Sequence, residues 1–271
     1  MSKLFARSSS ESARARRSLC SLLGMPPRRK RDCCVPLDNV DVRKPDPSTY
    51  DQARLLSEGF PITFNSPDLD TINFWPIVPI PELHVRLRNL STEVPAAGTR
   101  VDMAWSRWGV GQVRSPIGSI AVDLAPGAEG AVKLATPPAL MTEKRFSLFV
   151  KVFHPHDKDA GNNTGEQTID GMRTAEGRTR SFTFPVRNPG PGGGTINLQI
   201  LPGAAAPWAT LSSSSFALAP GAETNVTFTI SVPAAVPNSP PGTLITTMVD
   251  VLATLNGAYL GGINIFILID G

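Results

Sequence analysis

The chain has 271 residues, 41% of them apolar, with 23 Gly and 26 Pro; Pro at about twice its ordinary share argues against a helical protein, and the Phe/Ile/Val runs argue against a disordered one. The formal charge of +3 hides an asymmetry, because residues 1–31 hold nine Lys/Arg against one acid while the remainder holds 17 against 22. No stretch reaches the roughly 20 apolar residues of a helical membrane span, and with all three cysteines near the front the body does not depend on disulfides.

Residues 1–34 read as a flexible basic arm. Arg14, Arg16 and Arg17 form one cluster, and Arg28, Arg29, Lys30 and Arg31 another. Such an arm is either a solubilising tail or a docking element for other protein subunits, nucleic acid or another acidic surface. No aromatics interleave with the arginines, which disfavours base stacking. No apolar core follows the basic residues, so no conventional signal peptide is expected. That leaves the compartment open between a cytoplasmic origin and export by another route. Cys20, Cys33 and Cys34 lack the spacing of a zinc site and read as unpaired or intermolecular thiols.

Residues 35–65 are an extended lead-in, in which Phe60, Ile62 and Phe64 alternate as an edge strand would. Residues 66–177 read as a first sandwich domain with its linker. Its strands are expected at 73–78, 83–89, 100–106, 118–124, 130–134 and 146–153. Leu83, Val85 and Leu87 point to a core, and His84, Arg86 and Arg88 to solvent. Trp105 and Trp108 precede Gly109-Val-Gly111 and are expected to pack.

The loop His154-Pro-His-Asp157 to Asn163 is dense in oxygen ligands. Asp157, Asp159, Asn162 and Asn163 are of the kind Ca²⁺ takes, but their spacing departs from an EF-hand. Asn and Asp also do ordinary turn work, and no metal or other cofactor is assigned. His154 and His156 have no partnered nucleophile in the sequence.

Residues 169–177 read as a linker and 178–271 as a second sandwich. Its strands are expected at 180–187, 194–201, 208–216, 225–232, 242–255 (bent or bulged) and 262–270. Asn256-Gly257 signals a hairpin. The terminal run carrying Ile263, Ile265 and Ile267 is nearly continuous apolar sequence. It is either a central strand or an interaction strand covered by another subunit.

Two strings recur in the same order. Arg88-Asn89 precedes Leu124-Ala-Pro-Gly-Ala-Glu129, and Arg187-Asn188 precedes Leu218-Ala-Pro-Gly-Ala-Glu223. The separations are 36 residues from Asn89 to Ala125 and 31 from Asn188 to Ala219. This order predicts a duplicated β domain. The fold class expected is all-β, as tandem immunoglobulin-like β-sandwiches behind the basic arm.

The first domain resembles CARDB-type and related bacterial immunoglobulin-like modules. The resemblance rests on Asn65-Ser-Pro-Asp-Leu69, Val85-Arg-Leu-Arg-Asn-Leu-Ser91, Leu124-Ala-Pro-Gly127 and Phe149-Val-Lys-Val-Phe-His-Pro155 with Asp157 and Asn162-Asn163 behind it. It implies a non-catalytic part of a surface, adhesive or multi-component protein. Together with the basic arm and the apolar terminal run, this favours a non-catalytic structural or interaction subunit of a multi-component assembly, such as a particle, an appendage or a phage- or injection-like machine, acting as a homo- or hetero-oligomer. The alternatives are a carbohydrate- or surface-ligand-binding module stacking on Trp105, Trp108, Trp208 or Tyr259, and a hydrolase using His154 or His156.

Overall fold

The computed structural model describes residues 44–74, 77–141, 145–236 and 242–271. The basic arm with its two Arg/Lys clusters and the three cysteines falls outside them. Fifteen strands make three sheets among the described residues.

The first sheet has the long β3 (Ile77–Asn89) at its centre. On one side β3 pairs with β1 (Pro47–Ser48) and β2 (Leu69–Phe74), and on the other with β6 (Glu129–Ala135). The second sheet has three strands, in the order β11 (Ala209–Leu211), β13 (Glu223–Ser231), β9 (Thr179–Arg187). The third has eight. Its first half is β5 (Ser115–Leu124), β4 (Ala96–Arg107), β7 (Phe146–Phe153) and β8 (Thr164–Ala175). Its second half is β15 (Ala258–Asp270), β14 (Leu244–Leu255), β10 (Gly194–Ile200) and β12 (Ser215–Leu218).

The eight-strand order is symmetric about its middle. Read from either edge, each half takes its strands in the same chain order, and the two final strands, β8 and β15, pair in parallel from Asn264↔Ile169 to Asp270↔Ala175. The duplication read from the sequence is thus a duplication of sandwiches fused by one sheet. In each copy the repeated turn carries a glycine in the left-handed region, Gly127 (φ 65°) and Gly221 (φ 69°), where a side chain is disfavoured.

The repeated asparagines explain why the two strings travel together. Asn89 Nδ2 donates to the Val94, Leu124 and Ala125 carbonyls, and Asn188 Nδ2 to those of Gly192 and Leu218. Both are buried, and each pins its own Leu-Ala-Pro-Gly turn.

Two cores result. The first joins Leu83, Val85 and Leu87 to Val101, Leu148 and Val150, and the second joins Phe184, Val226, Phe228 and Ile230 to Val251 and Ile265. Along β15, Ile265 and Ile267 lie in the second core while Phe266 between them packs on the first. Successive residues of a strand point to opposite faces, so the two cores lie on opposite faces of the shared sheet.

This explains two departures from expectation. The segment 169–177, expected to be a linker, is most of β8, a strand whose Ile169 faces one core and Met172 the other. It therefore lacks the one-sided alternation that marks an ordinary strand. The stretch 208–216, expected as one strand, is two: β11 pairs with β13, and β12 pairs with β10 in another sheet. The serine run between them is where the chain changes sheets.

Candidate functional site

The three parts of the molecule converge where β8 and β15 diverge. From Thr164 to Thr168, β8 keeps β7 on one edge, but β15 does not reach its other edge. The lead-in fills the gap. Helix α1 (Gln52–Ser57) is capped by Asp51, whose Oδ1 accepts from the Arg54 N–H. The second oxygen of that carboxylate accepts from the N–H and hydroxyl of Thr164. Gln52 then acts as a strand partner: its Nε2 donates to the Glu166 carbonyl (2.6 Å), and its Oε1 accepts from the Glu166 N–H (3.2 Å). Further on, the Thr168 N–H donates to the Phe64 carbonyl.

Phe60, Ile62 and Phe64 are therefore not an edge strand. Ile62 and Phe64 are buried against Leu252 in a third apolar cluster, which Tyr259 joins, and Phe60 is exposed. Beside them Asp250 Oδ1 accepts from the Phe64 N–H, the Thr63 hydroxyl and Asn264 Nδ2 at 2.8–3.1 Å. Burial pushes its carboxyl above the ordinary aspartate range despite these donors.

Glu166 is the centre of this junction. Its side chain is buried, and Oε1 accepts from the Gly262 N–H at 3.0 Å. Burial raises its pKa to about 7, against the opposing pull of Arg114 and of the Gly262 N–H. The Arg114 guanidinium lies 3.8 Å over the Phe149 ring. The buried Tyr259 hydroxyl stands beside the carboxyl, and burial raises its pKa well above its usual value. Gly261 and Gly262 let β15 approach. A Cβ on Gly261 would stand 3.0 Å from Glu166 Oε1, and one on Gly262 would collide with the Phe64 ring and the Val251 carbonyl. The void there is about 10 Å³, far below the hundreds of cubic ångströms of a substrate pocket. Chemically the site can bind and release one proton near neutral pH.

A second interlock lies between β4 and β5. Trp108 and Val110 leave the first sandwich and enter the second core, where Trp108 packs on Phe182 and Phe184. The Val110 N–H donates to the Pro185 carbonyl, and the Arg187 N–H donates back to Val110. Gly109 and Gly111 make this approach possible. A Cβ on Gly109 would lie 2.6 Å from the Pro185 carbonyl oxygen, and one on Gly111 would overlap that of Arg187.

The residues singled out from the sequence lie elsewhere. His154 Nε2 stands 3.0 Å from the Ala97 carbonyl, and its Nδ1 accepts from the His156 N–H. Both ring nitrogens of His154 therefore face backbone. Asp157 accepts from the Asp159 N–H and from Asn163 Nδ2. Asp159 caps Gly161 and pairs with Arg54, and Asn162 Nδ2 donates to Asp46. The loop's carboxylates are thus engaged in tying the loop to itself and to the lead-in, and no group of three or more His, Cys, Asp or Glu suited to a metal occurs among the described residues.

The aromatics do not form an exposed platform. Trp108 is core, Trp105 and Trp208 pack against the two cores, and Tyr259 packs against Phe64. Of the two alternatives for the terminal run, the structure has the central strand. Ile263, Ile265 and Ile267 are fully buried between β14 and β8, with both strand edges paired from Asn264 onward, so they offer no surface to another subunit. Sequence reasoning missed Glu166, Gln52 and Asp250. The available signal was Gly261-Gly262 inside a strand-like run, since glycine there marks close approach of another group.

No family model and no curated protein matches the sequence. Solved structures match at a distance. The ASH/PapD-like domain of human CEP192 is 14% identical, covering 38% of this chain and 80% of that one, at a TM-score of 0.29. Escherichia coli alpha-2-macroglobulin is 10% identical over 84% of this chain and 22% of its own, at 0.28. Red sea bream transglutaminase is 12% identical over 80% and 33%, at 0.26. The chain thus spans about a fifth of the macroglobulin and a third of the transglutaminase. At such scores no role transfers, and the stacked-sandwich architecture rests on the strand pairing itself.

Proposed function

We propose that the chain is a non-catalytic structural and interaction subunit of a multi-component assembly. In this reading its rigid body is a fused pair of immunoglobulin-like sandwiches of the CARDB kind, and residues 1–34 are a docking arm. The observation that carries the reading is the continuous eight-stranded sheet, joined at the parallel β8–β15 pair. Tandem domains on a peptide linker move relative to each other by default. Here the join is a ladder of seven paired residues, reinforced by the Trp108–Val110 interlock and the lead-in clamp. Such a body holds two surfaces at a fixed separation, which suits a spacer.

The test uses the full chain. Arg14, Arg16, Arg17, Arg28, Arg29, Lys30 and Arg31 are changed together to Gln, and native mass is measured by sedimentation alongside thermal melting. The wild-type chain should sediment, alone or in extract of its source, as a species heavier than the monomer. The variant should remain monomeric with an unchanged melting temperature. A wild-type chain that stays monomeric in both settings contradicts the reading, and a variant that assembles normally removes the arm from it.

A further inference from the structure

Part of the outer edge of β9 has no other strand of the described residues beside it, and it lies next to charge that has no ion-pair partner among them. Strand β9 pairs with β13 from Arg187↔Glu223 to Thr179↔Ser231. The Asn188 N–H donates to the Ala222 carbonyl and the Val232 N–H to that of Arg178. Even-numbered residues of β9 therefore carry the ladder to β13, and odd-numbered ones turn their N–H and C=O outward. On that outer side Val110 engages Pro185 and Arg187 in a short parallel bridge. Beyond it, no strand of the described residues lies alongside Thr179, Ser181 and Thr183. One end of this edge is thus engaged by Val110, and no strand of the described residues engages the other.

At the open end lies a cleft of about 660 Å³, whose lining includes Arg173, Arg178, Thr179, Arg180 and Asp270. Arg173 is neutralised by Asp270 through contacts of 2.7–3.2 Å. Arg178 and Arg180 are exposed and form no ion pair with any described residue. They stand out in a body whose acids outnumber its bases, 22 to 17 after residue 31. Two residues apart on an extended chain, they share a face at a spacing of about 7 Å. An edge guarded against aggregation also carries charge, but guarding alone does not call for a cleft.

We propose that this cleft receives an extended acidic segment of a partner protein, which adds as a strand to the outer edge of β9 and sets carboxylates at alternate positions against Arg178 and Arg180. Backbone bonds to Thr179, Ser181 and Thr183 supply the affinity common to such additions, and the arginine pair supplies the choice of sequence. The inference rests on the interaction role proposed above and names the chemistry of one partner.

The test titrates the full-length protein with a short labelled peptide alternating glutamate and valine, followed by fluorescence anisotropy and by amide shifts. Binding should shift the Thr179–Thr183 amides and weaken with salt. It should also fall by about tenfold or more in an Arg178→Glu/Arg180→Glu variant. A peptide N-methylated at alternate residues should fail to bind, because it cannot complete the ladder. Equal binding of the N-methylated peptide, or tighter binding of inorganic phosphate or an oligonucleotide at the same arginines, would overturn strand addition. So would an absence of binding by the acidic peptide to the wild-type protein, or equal binding to the wild type and the arginine variant. A chain that still assembles by native mass while the peptide fails leaves the proposed function standing and removes only this docking site.

Discussion

Replacing Glu166 with Gln tests the junction through its pH dependence. In the unfolded chain this carboxyl titrates near 4.5, and in the folded chain burial raises it to about 7. An acid with a raised folded pKa keeps its proton in the native state over a range where the unfolded chain has lost it. Its stabilising contribution is therefore complete below pH 4.5 and is lost as pH rises through about 7. At about 1.4 kcal/mol per pH unit the loss is on the order of 3 kcal/mol.

The groups facing it are Arg114, the Gly262 N–H, Tyr259 and Asp51, and all four are the same in the wild type and the variant. Glu166→Gln keeps the shape and an acceptor for Gly262 but cannot ionise. Urea unfolding at several pH values should show the wild type losing stability from pH 5 to pH 8 relative to the variant, which becomes the more stable protein at the upper end by about that amount. Asp170 and Asp250, also raised by burial, are common to both proteins and cancel in the difference. A difference that does not change with pH would refute the assignment of a buried, protonated Glu166.

The remaining expectations concern packing. Gly262→Ala should destabilise by more than the ~1–3 kcal/mol typical of overpacking, because its Cβ meets backbone as well as the Phe64 ring, and hydrogen exchange in residues 44–66 should accelerate. Gly111→Ala combines a φ of 65° with a clash against the Arg187 carbonyl. It should lower the melting temperature and expose Trp108, seen as a red-shifted emission. Asn89→Ala and Asn188→Ala each remove side-chain hydrogen bonds to turn carbonyls, at roughly 0.5–1.5 kcal/mol per lost bond. Denaturant midpoints should fall comparably in the two variants, since the residues do the same work in each copy.

Strands that face one core were plain in the sequence. Leu83, Val85 and Leu87, and Val226, Phe228 and Ile230, alternate because one side of each strand meets a core and the other meets polar surroundings. The hairpin at Asn256-Gly257 was equally legible, and both residues take positive φ. The stretch 242–255, expected to be bent or bulged, is mostly the single strand β14, in regular register with β15 until a shift at Ala253/Thr254 that passes over Leu260 of β15. What could not be read is the join. A strand between two cores on opposite faces has no one-sided pattern, so β8 passed for a linker. The junction was hidden for a different reason: Glu166, Gln52 and Asp250 sit 84 to 198 residues apart, and nothing local marks a carboxyl whose surroundings are supplied by a distant strap. The repeated Arg-Asn and Leu-Ala-Pro-Gly strings did mark equivalent places, because one asparagine pins one turn in each sandwich.

Fusion of the two sandwiches into one body is tested most directly by hydrogen exchange of the full chain under increasing urea, read by mass spectrometry. The shared sheet predicts that β8 and β15 amides, together with β4 and β7 on one side and β10 and β14 on the other, lose protection in a single transition at one midpoint. Two separated transitions, with β4 and β7 exchanging while β14 and β15 remain protected, would show two independent domains and contradict the account.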